Sequence, residues 1–181
     1  MKSHTRFHWL QTLLLVALTL FAPVLSAQAE GQLVSLPEPL KDEPLARMSS
    51  QQSAVFAGGC FWGVQAVFQH TKGVISATSG YAGGPASAAR YERVSSGSTG
   101  HAEAVKVIYD PAKISYGQLL QIYFAVAHNP TELNRQGPDA GPQYRSEVFA
   151  VNTVQQKIAE GYIQQLDGAK VYPGKIVTRV S

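Results

Sequence analysis

One cysteine, Cys60, is all the chain has in 181 residues. A single thiol excludes an internal disulfide, and with it the disulfide-stapled fold of many small exported domains. Metal and nucleotide signatures are missing as well. There is no His-Glu-x-x-His, no Cys-x-x-Cys, no Gly-x-Ser-x-Gly and no phosphate-binding glycine loop before a lysine. His70, His101 and His128 lack metal-ligand spacing. Charge is sparse, at 15% of residues, and no run of Lys or Arg could build a phosphate-binding stripe, so no nucleic-acid partner is expected. Beyond residue 25 no apolar stretch is long enough to span a bilayer.

The N-terminus carries its own signal. Lys2 and Arg6 precede an apolar stretch from Leu10 to Leu25, interrupted only by Gln11, Thr12, Thr19 and Pro23, and Ala27-Gln28-Ala29 follows. This is the layout of a secretory signal peptide over residues 1–29, cleaved after Ala29, and it predicts an exported, periplasmic protein. An uncleaved membrane anchor is the competing reading, disfavoured by the Ala-x-Ala site and Pro23. Without the leader the formal charge falls from +3 to +1, with 13 basic residues against 12 acidic. Residues 30–52, with Pro37, Pro39 and Pro44, read as a linker. The folded domain is expected over 53–181. The whole chain is 45% hydrophobic, enough apolar material for one core, and a monomer is expected.

Within the domain, Ala54 to Ala57 reads as a strand stopped by Gly58-Gly59, and a helix follows from Cys60 to Gln69 with Phe61, Val64 and Phe68 in phase. Val74 to Tyr81 and Ala104 to Tyr109 read as strands, the second ended by Asp110-Pro111. A short helix is expected around Tyr91. Ser115 and Gln118 form a capping box for a helix striped by Tyr116, Leu119, Leu120, Tyr123 and Phe124. Residues 127–143 form a long polar loop of the kind that is often functional. Val148 to Val151 reads as a strand, Thr153 and Gln156 as a second capping box, and Lys175 to Val180 as a closing strand. The order β-α-β-β-α-β-α-β predicts an α/β (α+β) fold. Its core is a ferredoxin-like split β-α-β, a mixed sheet with helices packed on it.

Chemistry gathers at Gly58-Gly59-Cys60-Phe61-Trp62-Gly63. The diglycine lets a strand turn sharply and delivers the cysteine to the start of a helix. Free N–H groups and the positive end of the helix dipole lie there and favour the nucleophilic thiolate. Phe61 and Trp62 point about 100° apart on the helix, so both cannot serve the core; at least one is expected to wall the site for an apolar group such as a methyl or thioether. Glu103, in Gly100-His101-Ala102-Glu103, is a candidate acid–base group. Tyr81 is bracketed by glycines, and Asp139 and Tyr144 lie among prolines and glycines in a segment suited to presenting polar groups. A cysteine hydrolase or acyltransferase with His101 or His128 as base remains a second reading, and an exported redox-sensing binding protein a third.

Taken together, Gly59 to Gly63, Gly80-Tyr81-Ala82-Gly83-Gly84, Thr99 to Glu103, Tyr109-Asp110-Pro111 and Asn134 to Ser146 resemble the A-type peptide methionine sulfoxide reductases. The resemblance runs from about Val55 to Val180. It implies that Cys60 attacks the sulfoxide sulfur and is left as a sulfenic acid. It implies that Glu103 protonates the sulfoxide oxygen with help from the hydroxyls of Tyr81 and Tyr144. By the same resemblance Phe61 and Trp62 hold the methyl group and Asp139 orders the pocket. The substrate would be the S epimer of methionine sulfoxide in oxidised proteins or peptides. No cofactor is implied beyond an external, thioredoxin-like thiol reductant. Many relatives carry a resolving cysteine; here Ser95-Ser96 stands where some have one, and the sequence ends at Ser181 where relatives usually continue with an aromatic, Glu- and His-containing segment.

Overall fold

The computed structural model describes residues 35–181, so the expected signal peptide lies outside the described residues. Five strands form the main sheet: β1 (Gln52–Ala57), β2 (Val74–Ala82), β3 (Ala102–Tyr109), β6 (Glu147–Phe149) and β7 (Arg179–Val180). A separate two-residue pair, β4 (Arg135–Gln136) and β5 (Asp139–Ala140), makes a small hairpin. The helices are α1 (Phe61–Gln69), α2 (Tyr91–Val94), α3 (Tyr116–Ile122) and α4 (Thr153–Gly168).

The sheet order is β2-β3-β1-β6-β7. β3 lies between β1 and β2 and runs antiparallel to both, so β1 and β2 are parallel and α1 crosses between them. β1 likewise separates β3 from β6, with α3 in that crossover. Two interlocked split β-α-β units result, the plan expected from the element order. β7 extends the sheet parallel to β6.

Alternation along the strands puts Ala54 and Phe56 of β1, and Val105, Val107 and Tyr109 of β3, into one core with Val64 and Phe68 of α1, Leu119 and Leu120 of α3, and Ile158, Tyr162 and Leu166 of α4. Phe56 is fully buried and stacks on Phe68 and Tyr123 at 5.1 and 5.0 Å between ring centroids. Fully burying one such side chain contributes roughly 1.5–3 kcal/mol.

Several local readings shift. Cys60 is the N-cap of α1 and not part of its first turn. The Ser115–Gln118 capping box is present, but α3 passes into a π-helical turn over Tyr123–Ala127. α4 is capped by Asn152, whose side chain accepts from the Gln155 N–H at 2.8 Å, and not by a Thr153 box. Asparagine is the better cap because its short carbonyl reaches the N3 donor. The closing strand shrinks to two residues.

Residues 35–51 contain no helix or strand, but they are strapped along the domain. Leu36 is buried, and its carbonyl accepts from Gln121 Nε2 at 2.8 Å. The Gln165 side chain accepts from Leu40 N and donates to the Glu38 carbonyl, both at 2.8 Å. The Tyr162 hydroxyl donates to the Pro37 carbonyl at 2.8 Å. Asp42 accepts from the Ser115 hydroxyl and, at 2.8 Å, from Gly117 N–H.

Candidate active site

β1 ends under the site, and Gly58-Gly59 turns the chain into α1. Gly59 has φ +89°, which L side chains rarely adopt, and a Cβ there would lie 2.6 Å from the Gln136 side chain. A Cβ on Gly58 would lie 2.8 Å from Cγ of His128. The two glycines therefore let the turn close against β4 and the end of the π-helical turn. Cys60 emerges from it half-buried, with φ −57° and ψ 123°, and its side chain makes no cap hydrogen bond.

The N–H of Phe61, the first residue of α1, donates to Glu103 Oε2 at 3.0 Å. Glu103 thus satisfies a free donor at the helix start, one residue from the thiol. It is 5% exposed. Burial pushes its carboxyl above the usual carboxylate range, the Asp139 charge adds to the rise, and the Phe61 N–H opposes it. The net result is a carboxyl group poised to hold a proton longer than an exposed glutamate does.

Strand register brings in the next group. Tyr81 of β2 stands directly opposite Glu103 of β3, so both side chains project on the same face. Burial raises the Tyr81 phenol, and the Glu103 charge raises it further. Its ring lies 5.8 Å from that of Phe61, which is half-buried against the core. Trp62 lies 6.5 Å from Phe61 and is 75% exposed.

The long loop resolves into short elements. Asp139 pairs with Gln136 across the β4–β5 hairpin, and Gln136 covers Gly59, which ties Asp139 to the nucleophile turn. Tyr144 ends a 3₁₀ turn, Pro142–Tyr144. Its phenol is raised by burial first, then by the charges of Glu103 and Asp139, with smaller contributions from Tyr91 and Cys60. All seven expected residues, Cys60, Phe61, Trp62, Tyr81, Glu103, Asp139 and Tyr144, accordingly fall within one neighbourhood.

Tyr91, at the start of α2, was not among them. Its charge adds to the rise of both the Tyr81 and Tyr144 phenols. It is 62% exposed. The one signal for it in the sequence is a lone aromatic in a stretch of Gly, Ala and Ser.

The two histidines of the hydrolase reading are engaged elsewhere. His101 Nδ1 accepts from Gly84 N–H at 3.2 Å and its Nε2 donates to the Pro85 carbonyl at 3.0 Å, which pins the 83–85 turn beside Tyr81. His128 Nδ1 faces the Tyr123 carbonyl at 3.2 Å and Nε2 faces Ser146 Oγ at 2.6 Å. Neither ring has a nitrogen left for a nucleophile. Arg145 forms a buried ion pair with Glu147 and donates to the carbonyls of Pro142 and Gly100 at 2.9 and 3.1 Å, holding the Tyr144 turn against the approach to β3.

Among the described residues no group of three or more His, Cys, Asp or Glu could hold a metal ion, and no helix is long and apolar enough to cross a membrane.

Comparison with known proteins follows the same geometry. A family model described as "Peptide methionine sulfoxide reductase" matches residues 52–181. The chain is 64% identical over 129 residues to a peptide methionine sulfoxide reductase MsrA 2 of Mesorhizobium japonicum, covering 71% of this chain and 66% of that one. It is 46% identical over 148 residues to an MsrA 2 of Synechocystis, covering 81% and 69%. The methionine sulfoxide reductase A structure of Corynebacterium diphtheriae superposes with a TM-score of 0.62 at 31% identity, covering 79% of this chain and 73% of that one. The chain thus spans about two-thirds of the length of the curated relatives it matches.

Proposed function

The chain belongs to the peptide methionine sulfoxide reductase family, and from that premise we propose that it reduces methionine S-sulfoxide in proteins or peptides to methionine at the expense of an external thiol. The observation that carries the mechanism is the hydrogen bond from Phe61 N–H to Glu103, which links a buried carboxyl of raised pKa to the helix start where the thiol sits.

A sulfoxide is a pyramidal S–O dipole and a poor electrophile at neutral pH. It needs a proton or strong hydrogen bonds on oxygen before a thiolate can attack sulfur. In this reading Glu103 supplies the proton, and the phenols of Tyr81, Tyr144 and Tyr91 donate to the oxygen as charge builds there. Phe61 and Trp62 receive the methyl group, and the negative charge of Asp139 helps keep Glu103 protonated. Cys60 Sγ bonds to the oxygen-bearing sulfur; the protonated oxygen then passes to Sγ, so that an Sγ–O bond forms as the Sγ–S bond and the original S–O bond break, methionine leaves as a thioether and the oxygen ends on Cys60 as a sulfenic acid. Thiol plus sulfoxide gives sulfenic acid plus thioether, so atoms and electrons balance. Two external thiols then return the sulfenic acid to thiol, with a disulfide and water as products. Cys60 has no second cysteine within this sequence to form an internal disulfide, which favours a thioredoxin-like donor.

The arrangement of Lys2, Arg6, the apolar stretch and Ala27-Gln28-Ala29 supports export, with the mature chain beginning at Glu30. Mass spectrometry of the exported protein tests this; an intact Met1 terminus would point to an anchor.

The test of the activity is an assay of the protein on peptides carrying each epimer of methionine sulfoxide, with dithiothreitol as reductant. Turnover of the S epimer, abolished in Cys60→Ser, is expected. Equal rates on both epimers, or activity that survives in the serine variant, would defeat the reading.

A further inference from the structure

His128 is a titratable side chain beside the nucleophile turn for which the proposed chemistry has no use. Its ring lies 4.2 Å from that of Tyr123 and 6.1 Å from that of Phe124. Against Gly58 it packs so closely that a Cβ there would come within 2.8 Å of Cγ. Nδ1 faces the Tyr123 carbonyl, so Nδ1 carries the proton and Nε2 is left as an acceptor. Ser146 fills that role as donor at 2.6 Å, and its oxygen can in turn accept from Thr178 Oγ1 at 2.7 Å. Alongside, the Tyr123 hydroxyl donates to the Ala57 carbonyl at 2.6 Å, immediately before the diglycine. The last residue of β1, the π-helical turn, the start of β6 and the approach to β7 thus meet under Gly58.

Resting on the sulfoxide-reductase reading above, we propose that His128 and Ser146 are positioning residues, a hydrogen-bonded couple that fixes the Gly58-Gly59-Cys60 turn at the height and angle from which the thiol attacks. Every proton in the couple has one assignment, which is what makes it rigid. The Tyr123 carbonyl orients the ring, the ring orients the serine hydroxyl, and the ring face sets how far Gly58 can sink toward the core. Cys60 is two residues from that contact, and its side chain makes no cap hydrogen bond. Burial takes His128 down to about 4, so the ring stays neutral and keeps its acceptor. The roles are mechanical: neither side chain touches substrate, and neither exchanges a proton with the thiol.

Three variants test this. Ser146→Ala removes one hydroxyl and leaves Nε2 without a donor. His128→Asn keeps a donor toward the Tyr123 carbonyl but loses the Nε2 acceptor. His128→Gln reaches the Nε2 position and can accept from Ser146 again. The readouts are the single-turnover rate of sulfoxide reduction per titratable thiol, KM, and the alkylation rate of Cys60 with iodoacetamide. Normalising to titratable thiol removes molecules that are merely misfolded. Displacement of a nucleophile by about 1 Å costs about 100-fold. Ser146→Ala and His128→Asn should therefore slow single turnover by about 10- to 100-fold and change alkylation, with KM near the parent value. His128→Gln should recover part of the loss. Parent-like rates per thiol in both Ser146→Ala and His128→Asn would overturn the proposal, as would a His128→Gln variant no better than His128→Asn. A parent protein that reduces neither epimer would instead overturn the reductase reading on which the proposal rests.

Discussion

Replacing Glu103 by Gln separates the hydrogen bond this side chain makes from the proton donation proposed for it. Glutamine keeps an oxygen that can accept the Phe61 N–H, now bonded at 3.0 Å, so the start of α1 should hold its place. What is lost is the proton for the departing oxygen. General acid catalysis contributes about 100- to 10,000-fold, or about 3–5 kcal/mol of transition-state stabilisation. Single-turnover reduction should fall by that factor with KM little changed, because the lost interaction forms only as the S–O bond breaks. The pH dependence fixes the sign. In the parent the acid is present below the folded-state pKa of Glu103, which lies above the usual carboxylate value, and disappears as pH rises through it. Parent rates should therefore show a falling limb that the glutamine variant lacks, and the ratio of the two should be largest on the acidic side.

Stability should move the other way. A carboxyl with a raised folded-state pKa destabilises the native state as pH rises above its unfolded value, since the charged form is the one penalised by burial. Glu103→Gln should accordingly melt above the parent at pH 7, and the advantage should vanish well below pH 4. A variant that melts at or below the parent at pH 7, or a single-turnover rate and pH profile equal to the parent's, would refute the assignment of Glu103 as a buried proton donor.

Other consequences follow from neighbouring residues. Tyr144→Phe removes a hydroxyl proposed to donate to the developing oxygen charge, and the single-turnover rate should fall by up to about 100-fold, with Tyr91→Phe in the same direction but smaller because that ring is 62% exposed. Unchanged rates in both would remove the phenols from the chemistry. Asp42→Ala unties the 35–51 strap from the start of α3 and should cost about 1 kcal/mol in urea unfolding, while kcat stays at the parent value. His128 has a folded-state pKa near 4, below its ordinary 6.5. Its neutral burial is therefore compatible with full stability above about pH 6.5, and stability should fall by ~1.4 kcal/mol per pH unit as pH drops toward 4. Between pH 7 and pH 4.5 the urea unfolding free energy of the parent should fall by about 2.7 kcal/mol more than that of His128→Gln, two pH units below 6.5 at ~1.4 kcal/mol each.

Much of this was legible in the residue pattern because the relevant physics is local. Val105, Val107 and Tyr109 alternate, so β3 and its buried face could be read directly, and Ser115 with Gln118 marked the start of α3. The diglycine before Cys60 announced a turn into a helix. What escaped depends on partners distant in sequence. The strap over 35–51 carries prolines and polar residues, and partners far along the chain, Ser115, Gln121, Tyr162 and Gln165 among them, give it a place. Asn152 displaced Thr153 as a cap by a single residue, a difference of backbone geometry that composition does not record. Tyr91 was missed for the same reason as the strap: its significance lies in Tyr81 and Tyr144, which the fold brings to it.

The glutamates show how far the distinction between a structural and a chemical residue depends on neighbours. Glu103 and Glu147 both lie on strands beside β1, and both are almost completely buried, at 5% and 6% exposure. Glu147 has Arg145 for a partner and accepts from the Ser181 hydroxyl at 2.9 Å, so its charge is matched and its oxygens are occupied. Glu103 has no cation partner among the described residues; one oxygen takes a backbone N–H, and Asp139 adds a like charge nearby. A buried carboxylate paired with arginine is tied to its partner and is costly to disturb. A buried carboxyl without one holds a proton and can release it to an incoming oxygen. The fold thus places two chemically identical side chains on either side of β1, one bracing the Tyr144 turn through Arg145 and the other, with no cation partner among the described residues, suited to the proton donation proposed for it.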